Sequence, residues 1–506
     1  EYLIKCLYGV DLNPESVEIS KLSLWLRTLT KDKPLTNLDD NIKSGNSITE
    51  FDFNEEFSEV FAKGGFDVVI GNPPYVEQKK IKDIKHILEE KYDTYNSMAD
   101  LYCYFYELAV KMLKTGGVMG YITSNSWLNV DYGINIRKLL NNYYIIEIED
   151  HNGEKIFSDA QVDTNIIVLK KIERKNTDVK IVLTKEDKIF YFNQEEFVEE
   201  KGFLFLDNNL EKLRKRLDEN GEPLKNWKIK MNRGIVTGLD KAFIIEKEKY
   251  DELTKKDRKN KEIIVPLLRG KNIGRYEINY QDLYLINSHN GYKQAHEDIP
   301  YVNVESFPGI KEHLDEFEPK LSERSDKGQT AYNLRNCAYV AEFEKEKLIW
   351  AKMTKTSKFT YDTKGYYISV TGFIMVGEKL KYLLAMLNSK LIEFAFLNLY
   401  GGKTLGEGLD FRISFLEKLP ILVPNQEQEE YLTNLADKML ESKEKLSRLN
   451  KLLELAVVDK NYEIQLELKE KIEELNEEIL DTDYAIDSYV YDMYGITAEE
   501  RALIEG

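Results

Sequence analysis

Residues 66–75 read FDVVIGNPPY, and no other stretch limits the possible folds as tightly. Phe66, Val68, Val69 and Ile70 lead into Gly71, and Asn72, Pro73, Pro74 and Tyr75 then stop the run. A short apolar run closed by Gly and Pro predicts a buried parallel strand whose carboxyl end opens into a loop. Ligands of open α/β sheets bind at such carboxyl ends. The two prolines fix φ and remove two backbone donors, so the loop offers carbonyls that only accept. Asn72 adds a side-chain carbonyl and Tyr75 a flat ring. An amine held there would donate one hydrogen to the Asn72 side chain and one to the Pro73 carbonyl. Both donations localise the nitrogen lone pair, and the same dipoles stabilise charge that develops as the nitrogen attacks.

NPPY after a hydrophobic strand resembles the catalytic motif of DNA methyltransferases that act on the exocyclic amine of adenine. The resemblance implies that Asn72, Pro73, Pro74 and Tyr75 are catalytic. It also implies that Phe157, in the segment KIFSDAQVD, stacks on the face of a flipped adenine opposite Tyr75. The other reading of Phe157 is a loop anchor in the core. Upstream, YGVDL reads as a strand ending in an acid, and Asn13-Pro14-Glu15 starts a helix. An acid at such a strand tip accepts hydrogen bonds from ribose hydroxyls; as an alternative, Asp11 caps the helix. GVDLNPESVEISKLSLWL is similar to the family's second motif, which implies that Asp11, with Leu12, binds the ribose of S-adenosyl-L-methionine. NIKSGNSI reads as a third strand and loop. The family usually places Asp where Asn46 stands, so Asn46, with Ser47, is expected to accept from the cofactor's adenine amine without a charge. Asn72 is expected to touch the cofactor as well.

One piece of that fold has no counterpart. A first strand with a Gly-rich turn lets the methionine end of the cofactor approach the backbone, and nothing here matches it. The chain opens at Glu1 almost directly on a strand and reads as a fragment of a larger protein. The expectation is half a cofactor pocket and weak cofactor binding by these residues alone.

At 506 residues the chain exceeds one core. No apolar run approaches the roughly 18 residues of a membrane helix, so no membrane partner is expected. Cys6, Cys103 and Cys337 form no disulfide or metal pattern. A prokaryotic cytoplasm is the expected compartment. The net charge of −18 argues against a nucleic-acid partner until its distribution is read. Residues 226–425 hold 32 Lys and Arg against 27 Asp and Glu, a local excess of positive charge.

Segments GIVTGLDKAF, VPLLRGKNI, LIWAKMTKTSKF and LLAMLNSKLIEF follow in order and resemble pieces of the target-recognition domain of TaqI-like enzymes. Arg233, Lys241, Arg269, Lys271 and Arg275 sit there in Gly-punctuated loops beside Asn272 and Tyr276. Loop Arg and Lys hold phosphates, and Asn and Arg read base edges; each is equally readable as solvated surface. From Gln426, Leu432, Leu435, Met439, Leu446, Leu449 and Leu453 recur at helical spacing. After a turn at Val457–Asn461 the pattern returns at Leu468, Ile472, Leu475 and Ile479, which predicts a helical hairpin.

The fold class expected is therefore α/β: a Rossmann-like methyltransferase core over 1–175, a connector over 176–225, an α+β recognition domain over 226–425 and a helical hairpin with tail over 426–506. The resemblance implies transfer of methyl from S-adenosyl-L-methionine to adenine N6 in double-stranded DNA, as in Type IIG restriction-modification proteins. No nuclease constellation is visible, so any cleavage would belong to an upstream nuclease domain. A phage-exclusion methylase without nuclease, a non-catalytic DNA-recognition subunit and a protein-glutamine methyltransferase remain the other readings.

Overall fold

The computed structural model describes residues 6–28, 38–151, 156, 163–174, 177–185, 187–197, 199, 202–203, 205–206, 208–294, 297–400 and 409–505. The chain divides into two compact units, Glu1–Asp207 and Asn208–Gly506.

The first unit starts with β1 (Gly9–Asp11), α1 (Pro14–Thr28) and β2 (Ile42–Ser44), and β1 and β2 pair in parallel as a two-stranded sheet. A separate six-stranded mixed sheet follows. It holds β3 (Phe66–Gly71), β4 (Leu113–Ser124), β5 (Tyr143–Asp150), β6 (Thr164–Glu173), β7 (Asp178–Leu183) and β8 (Lys188–Asn193) in the order β3-β4-β6-β5-β7-β8. Helix α2 (Tyr102–Met112) precedes β4 and buries Tyr102, Cys103, Tyr104 and Tyr106. The core continues through Met119, Ile145, Ile148, Ile167 and Leu169, all fully buried.

Three features of this unit need a physical reason. First, α2 stops at Met112 and Gly116-Gly117 both lie inside β4. Gly116 has a φ of +84°, and the β3–β4 register jumps between Phe66 opposite Leu113 and Val68 opposite Val118. The pair is a bulge that only Gly tolerates. Second, β3 is parallel to β4 as expected but is not buried on both sides. Val68 is 57% and Ile70 79% exposed, because β1 does not hydrogen-bond to β3. The two sheets are linked instead by rings, with Tyr8 edge-on to Phe57 at 5.2 Å and to Phe66 at 5.5 Å. Third, the connector is no connector. Val179 and Ile181 alternate into the core on β7, which pairs in parallel with β5, so residues 178–193 extend the sheet.

The other end of that stretch belongs to the second unit. Helix Asn208–Asn220 buries Leu213 and Leu217, and Glu222–Pro223 pairs with Pro420–Ile421. Two four-stranded sheets form the body. One runs Ile229–Arg233, Gly372–Gly377, Lys347–Ala351, Phe359–Asp362, all antiparallel. The other runs Ile244–Ile245, Tyr284–Ile286, Ile264–Leu268, Tyr367–Ile368. The hairpin forms as α3 (Gln426–Val458) and α4 (Tyr462–Tyr494). Asn425 and Gln428 make a capping box at its start, and Gly495, in the left-handed region, ends α4. Helix α4 runs past Ile479 because Ile486, Val490, Tyr491 and Tyr494 continue the buried face.

A buried acid on α4 sets a pH dependence. Burial pushes the Asp487 carboxyl up to about 6, against the Lys390 backbone N–H that donates to it at 2.8 Å. The folded state thus holds a proton that the unfolded chain has released between pH 4 and 6, so stability falls as pH rises through that window. Asp487→Asn keeps the acceptor and removes the charge. Its expected effect is a gain of at most about 3 kcal/mol at pH 8 and loss of that pH dependence, read by thermal unfolding across pH 4–8.

Candidate active site

Strand β3 delivers the loop expected of it. Asn72 stands exposed at its end, Pro73 is buried and Tyr75 is half-buried. The loop is held from α2's side. Asp100 accepts from the Gln78 backbone N–H at 2.8 Å, Leu101 N–H donates to the Val76 carbonyl at 3.0 Å, and Val76 N–H donates to the Pro74 carbonyl at 3.0 Å. Burial raises the Asp100 carboxyl above its ordinary range. The Tyr75 ring lies 6.5 Å from that of Tyr102, and burial pushes its phenol up, so it presents a neutral ring.

A cavity of about 640 Å³ brings the expected residues together. Gly9, Val10, Asp11 and Leu12 line it on one side, Gly45, Asn46 and Ser47 on another, and Val68 to Pro74 on a third. Asp11, Leu12, Asn46, Ser47, Asn72, Pro73 and Pro74 therefore face one space, although Asp11 and Asn72 are 61 positions apart. Tyr75 is not among the lining residues. Phe157 lies outside the described residues.

Asp11 Oδ1 accepts from Asn13 N–H at 2.7 Å, but the cap of α1 is Asn13, whose own Oδ1 accepts from Glu15 N–H at 2.8 Å; the Asp11 carboxylate stays exposed on the cavity wall. Asn46 departs from expectation. Its Oδ1 already accepts from Ile48 N–H at 3.1 Å and Thr49 N–H at 3.3 Å, which shapes the turn after β2. Both lone pairs of that oxygen are occupied locally, so the expected acceptance of an adenine amine there would require the turn to open. The floor of the cavity is not legible in the loop motifs. Leu101, Phe105, Leu108 and Met112 line the cavity from one stripe leading into and along α2, and Tyr121 joins from β4. Their i, i+4, i+7, i+11 spacing is the signal that marks this stripe.

The residues present fit one half of S-adenosyl-L-methionine. An exposed acid at a strand end suits ribose hydroxyls, and the apolar stripe suits a flat ring. Between β1 and β3 no described strand supplies backbone donors, and Val68 and Ile70 remain open there.

Residues 5–157 match the Eco57I restriction-modification methylase family. Residues 265–421 match the TaqI-like C-terminal specificity domain. The chain carries an Eco57I-like methylase domain and a TaqI-like specificity domain. Methyltransferases of this class use S-adenosylmethionine. Among curated relatives, the chain is 24% identical over 492 residues to the Type II methyltransferase M.BstVI of Geobacillus stearothermophilus, covering 89% of this chain and 83% of that protein. It is 28% identical over 275 residues to the Type II restriction enzyme and methyltransferase RM.Eco57I of Escherichia coli, covering 48% of this chain and 28% of that one. It is 24% identical over 474 residues to the Type II methyltransferase M.HindII of Haemophilus influenzae, covering 81% and 86%. Among solved structures, that of the Type IIL restriction-modification enzyme MmeI in complex with DNA shares the fold, with a TM-score of 0.65 and 12% identity over 97% of this chain. The chain spans 63% of that enzyme's length.

The cations expected to meet DNA lie across the second unit, from Arg233 through the specificity domain. Arg233 is exposed at the end of Ile229–Arg233. Lys241 and Lys271 are exposed on the short turns Asp240–Phe243 and Gly270–Asn272, and Arg269 is half-buried just before the latter. Arg275 is corrected. Its guanidinium forms a fork on Asp483, with Nη1 donating at 2.6 Å, and Nη2 also donates to the Asn388 carbonyl at 2.8 Å. That arginine is committed to α4. Asn272 is structural too: Oδ1 accepts from Arg269 N–H at 2.9 Å and Nδ2 donates to the Asn279 carbonyl at 3.0 Å. Tyr276 beside it is buried. Loop composition could not separate these from surface residues, because their partners are up to 208 positions away. Among the described residues no metal-binding group forms, and no described helix is long and apolar enough to cross a membrane.

Proposed function

We propose that this chain transfers a methyl group from S-adenosyl-L-methionine to the exocyclic N6 amine of an adenine in a specific duplex DNA sequence. The observation that carries the reading is that Asn72, Pro73 and Pro74, at the carboxyl end of β3, line the same cavity as Asp11, at the carboxyl end of β1. The DNA methyltransferase relatives and the specificity domain support a DNA substrate.

The amine lies inside the stack of a duplex, so the base must be extruded to reach the loop. Tyr75 supplies a ring for it to stack on, with Phe157 assigned to the other face. The Asn72 side-chain carbonyl and the Pro73 carbonyl accept the two amine hydrogens, which raises electron density on nitrogen. Their dipoles stabilise the positive charge that grows there. The cofactor supplies the electrophilic methyl; Asp11 and the stripe from Leu101 to Met112 would hold it. The proton lost from the product amine needs no dedicated base, since an alkylated, positively charged amine of this kind is acidic. Positioning provides most of the remaining acceleration.

Tritiated S-adenosyl-L-methionine incubated with the protein and mixed-sequence duplex DNA tests this reading. The expected product is labelled N6-methyladenine after digestion. Label on cytosine would sink the adenine assignment, and no label on DNA would sink methyl transfer to DNA. Label on a glutamine-containing protein substrate instead would favour the protein reading. The open space between β1 and β3 makes a second prediction: calorimetry on these 506 residues should give cofactor binding weaker than about 100 μM, an affinity corresponding to roughly 5.5 kcal/mol. Micromolar binding would show that the described walls suffice.

A further inference from the structure

The second unit holds a separate cleft of about 110 Å³ between the end of strand Ile229–Arg233 and the loop 324–340. Arg233 and Arg335 are exposed at its rim, and His289, Cys337 and Tyr339 form its walls. Asn287 lies at its floor, 7% exposed. Asn287 Nδ2 donates to the Tyr367 hydroxyl at 3.3 Å, but Oδ1 has no hydrogen-bond partner. A buried amide oxygen left without a donor is costly in a finished protein interior. It lies just beneath the cleft lining, where a turn of the Asn287 amide brings it to a ligand N–H.

The cleft is built rather than incidental. Arg324 Nη2 donates to the carbonyls of Ala331 at 2.7 Å and Asn333 at 2.6 Å, which folds the loop beneath Arg335. Asn333 is fully buried, and its Nδ2 donates to the Val302 carbonyl at 2.9 Å and the Ser288 carbonyl at 3.3 Å. On the opposite side, Gly234 N–H donates to the Gly372 carbonyl at 2.9 Å, and a Cβ on Gly234 would collide with the Ser369 carbonyl. Only glycine lets the backbone carrying Arg233 come this close. His289 Nδ1 accepts from Gly291 N–H at 3.2 Å. Burial holds that imidazole below its ordinary pKa, so the neutral ring keeps its hydrogen on Nε2 as a donor. Arg335 also pairs with Asp326 at 3.0 Å, which fixes its direction without consuming all five of its N–H groups.

The chemistry on offer is thus N–H donors at the rim and walls with one carbonyl acceptor at the floor. A phosphate fits it poorly, because phosphate oxygens only accept and would face the Asn287 oxygen. The major-groove edge of a base pair, with an amino group beside an acceptor, fits it well. In the major groove adenine and cytosine show an amino donor, whereas guanine and thymine show acceptors.

Resting on the reading that duplex DNA is the substrate, we propose that this cleft is a base-reading site: it takes the amino-bearing edge of one adenine or cytosine in the recognition sequence, with Asn287 as acceptor and Arg233 and Arg335 as donors. Selection of duplexes from a random pool tests it without requiring methyl transfer. Wild-type protein should enrich a motif. Asn287→Leu should lose discrimination at one base pair of the motif, from roughly tenfold or more against other base pairs to little or none, while the remaining positions keep their preferences. An unchanged motif, or a loss of preference spread evenly over every position of it, overturns the inference. If Asn287→Leu proves unfolded by thermal melting, the wild-type protein decides: cognate duplex should slow iodoacetamide alkylation of Cys337 severalfold, and no protection overturns the site. A wild-type protein that enriches no motif at all would count against the DNA reading itself. One that enriches a motif yet methylates nothing would count only against methyl transfer.

Discussion

Asn72→Ala should lower the rate of methyl transfer by about 10²–10³-fold, the loss seen when one preorganised polar group aimed at developing charge is removed. Asn72 is exposed at the mouth of the cavity, and no described secondary-structure hydrogen bond depends on its side chain. The substitution therefore leaves the fold intact, and thermal unfolding should not move. Retention of duplex binding alongside lost transfer separates this outcome from misfolding. Asn72→Asp offers a finer comparison. It keeps an acceptor and adds a negative charge that also favours positive charge on nitrogen, so it should keep more activity than Asn72→Ala. A variant Asn72→Ala that methylates at close to the wild-type rate would remove this loop from the chemistry, and the shared cavity with Asp11 would need another explanation.

The second large effect is on stability. Lys347 and Asp362 face each other in register on neighbouring antiparallel strands, and both side chains are fully buried. Lys347 Nζ donates to Asp362 Oδ2 at 2.5 Å and to the Phe343 carbonyl. Asp362 also accepts from the Lys364 N–H at 2.8 Å and the Tyr366 N–H at 2.9 Å. Burial lowers the Lys347 ammonium's affinity for its proton, and Asp362 opposes that. Lys347→Met leaves a carboxylate buried without its counterion and should cost about 3–5 kcal/mol. For a unit of this size that is a fall of roughly 10 °C in the melting temperature. Lys347→Met combined with Asp362→Asn should recover a good part of the loss, because the uncompensated charge is gone while the Asn oxygen keeps a backbone partner. A double variant no better than the single one would show that the lost stability came from packing around the lysine stem.

Several parts of the site can be read directly from the chain. FDVVIGNPPY contains both a strand and the residues that end it, so its loop is a local property. The same is true of GVDLNP, where Asp11, Asn13 and Pro14 are spaced to end β1 and start α1 within a few residues. The hairpin is legible for the same reason, since the spacing of Leu432, Met439, Leu468, Leu475 and Ile479 encodes a buried face whatever it packs on. The methylase family match over 5–157 spans the first two of these segments.

What failed was whatever depends on a distant partner. Residues 178–193 read as part of a linker although Lys180–Leu183 already reads as a short strand, because only pairing with the distant edge of β5 makes them part of the sheet. Val68 and Ile70 read as buried because their apolarity is local, whereas their exposure follows from the lack of hydrogen bonds between β1 and β3. Arg275 read as a DNA contact because a loop arginine looks the same whether its carboxylate is a solvent ion or Asp483 on α4. Arg335 and Asn287 carry no signal in the sequence, since 102 and 54 positions separate them from Arg233 and no pattern along the chain joins the three. The sequence by itself determined the Asn-Pro-Pro-Tyr loop after β3, the acid at the end of β1 and the helical hairpin, because each is settled by neighbours within a turn or a strand. Only the tertiary structure decided which cations are bound by the protein itself and which side chains share a cavity, because charge pairing and burial are set by groups that meet through space.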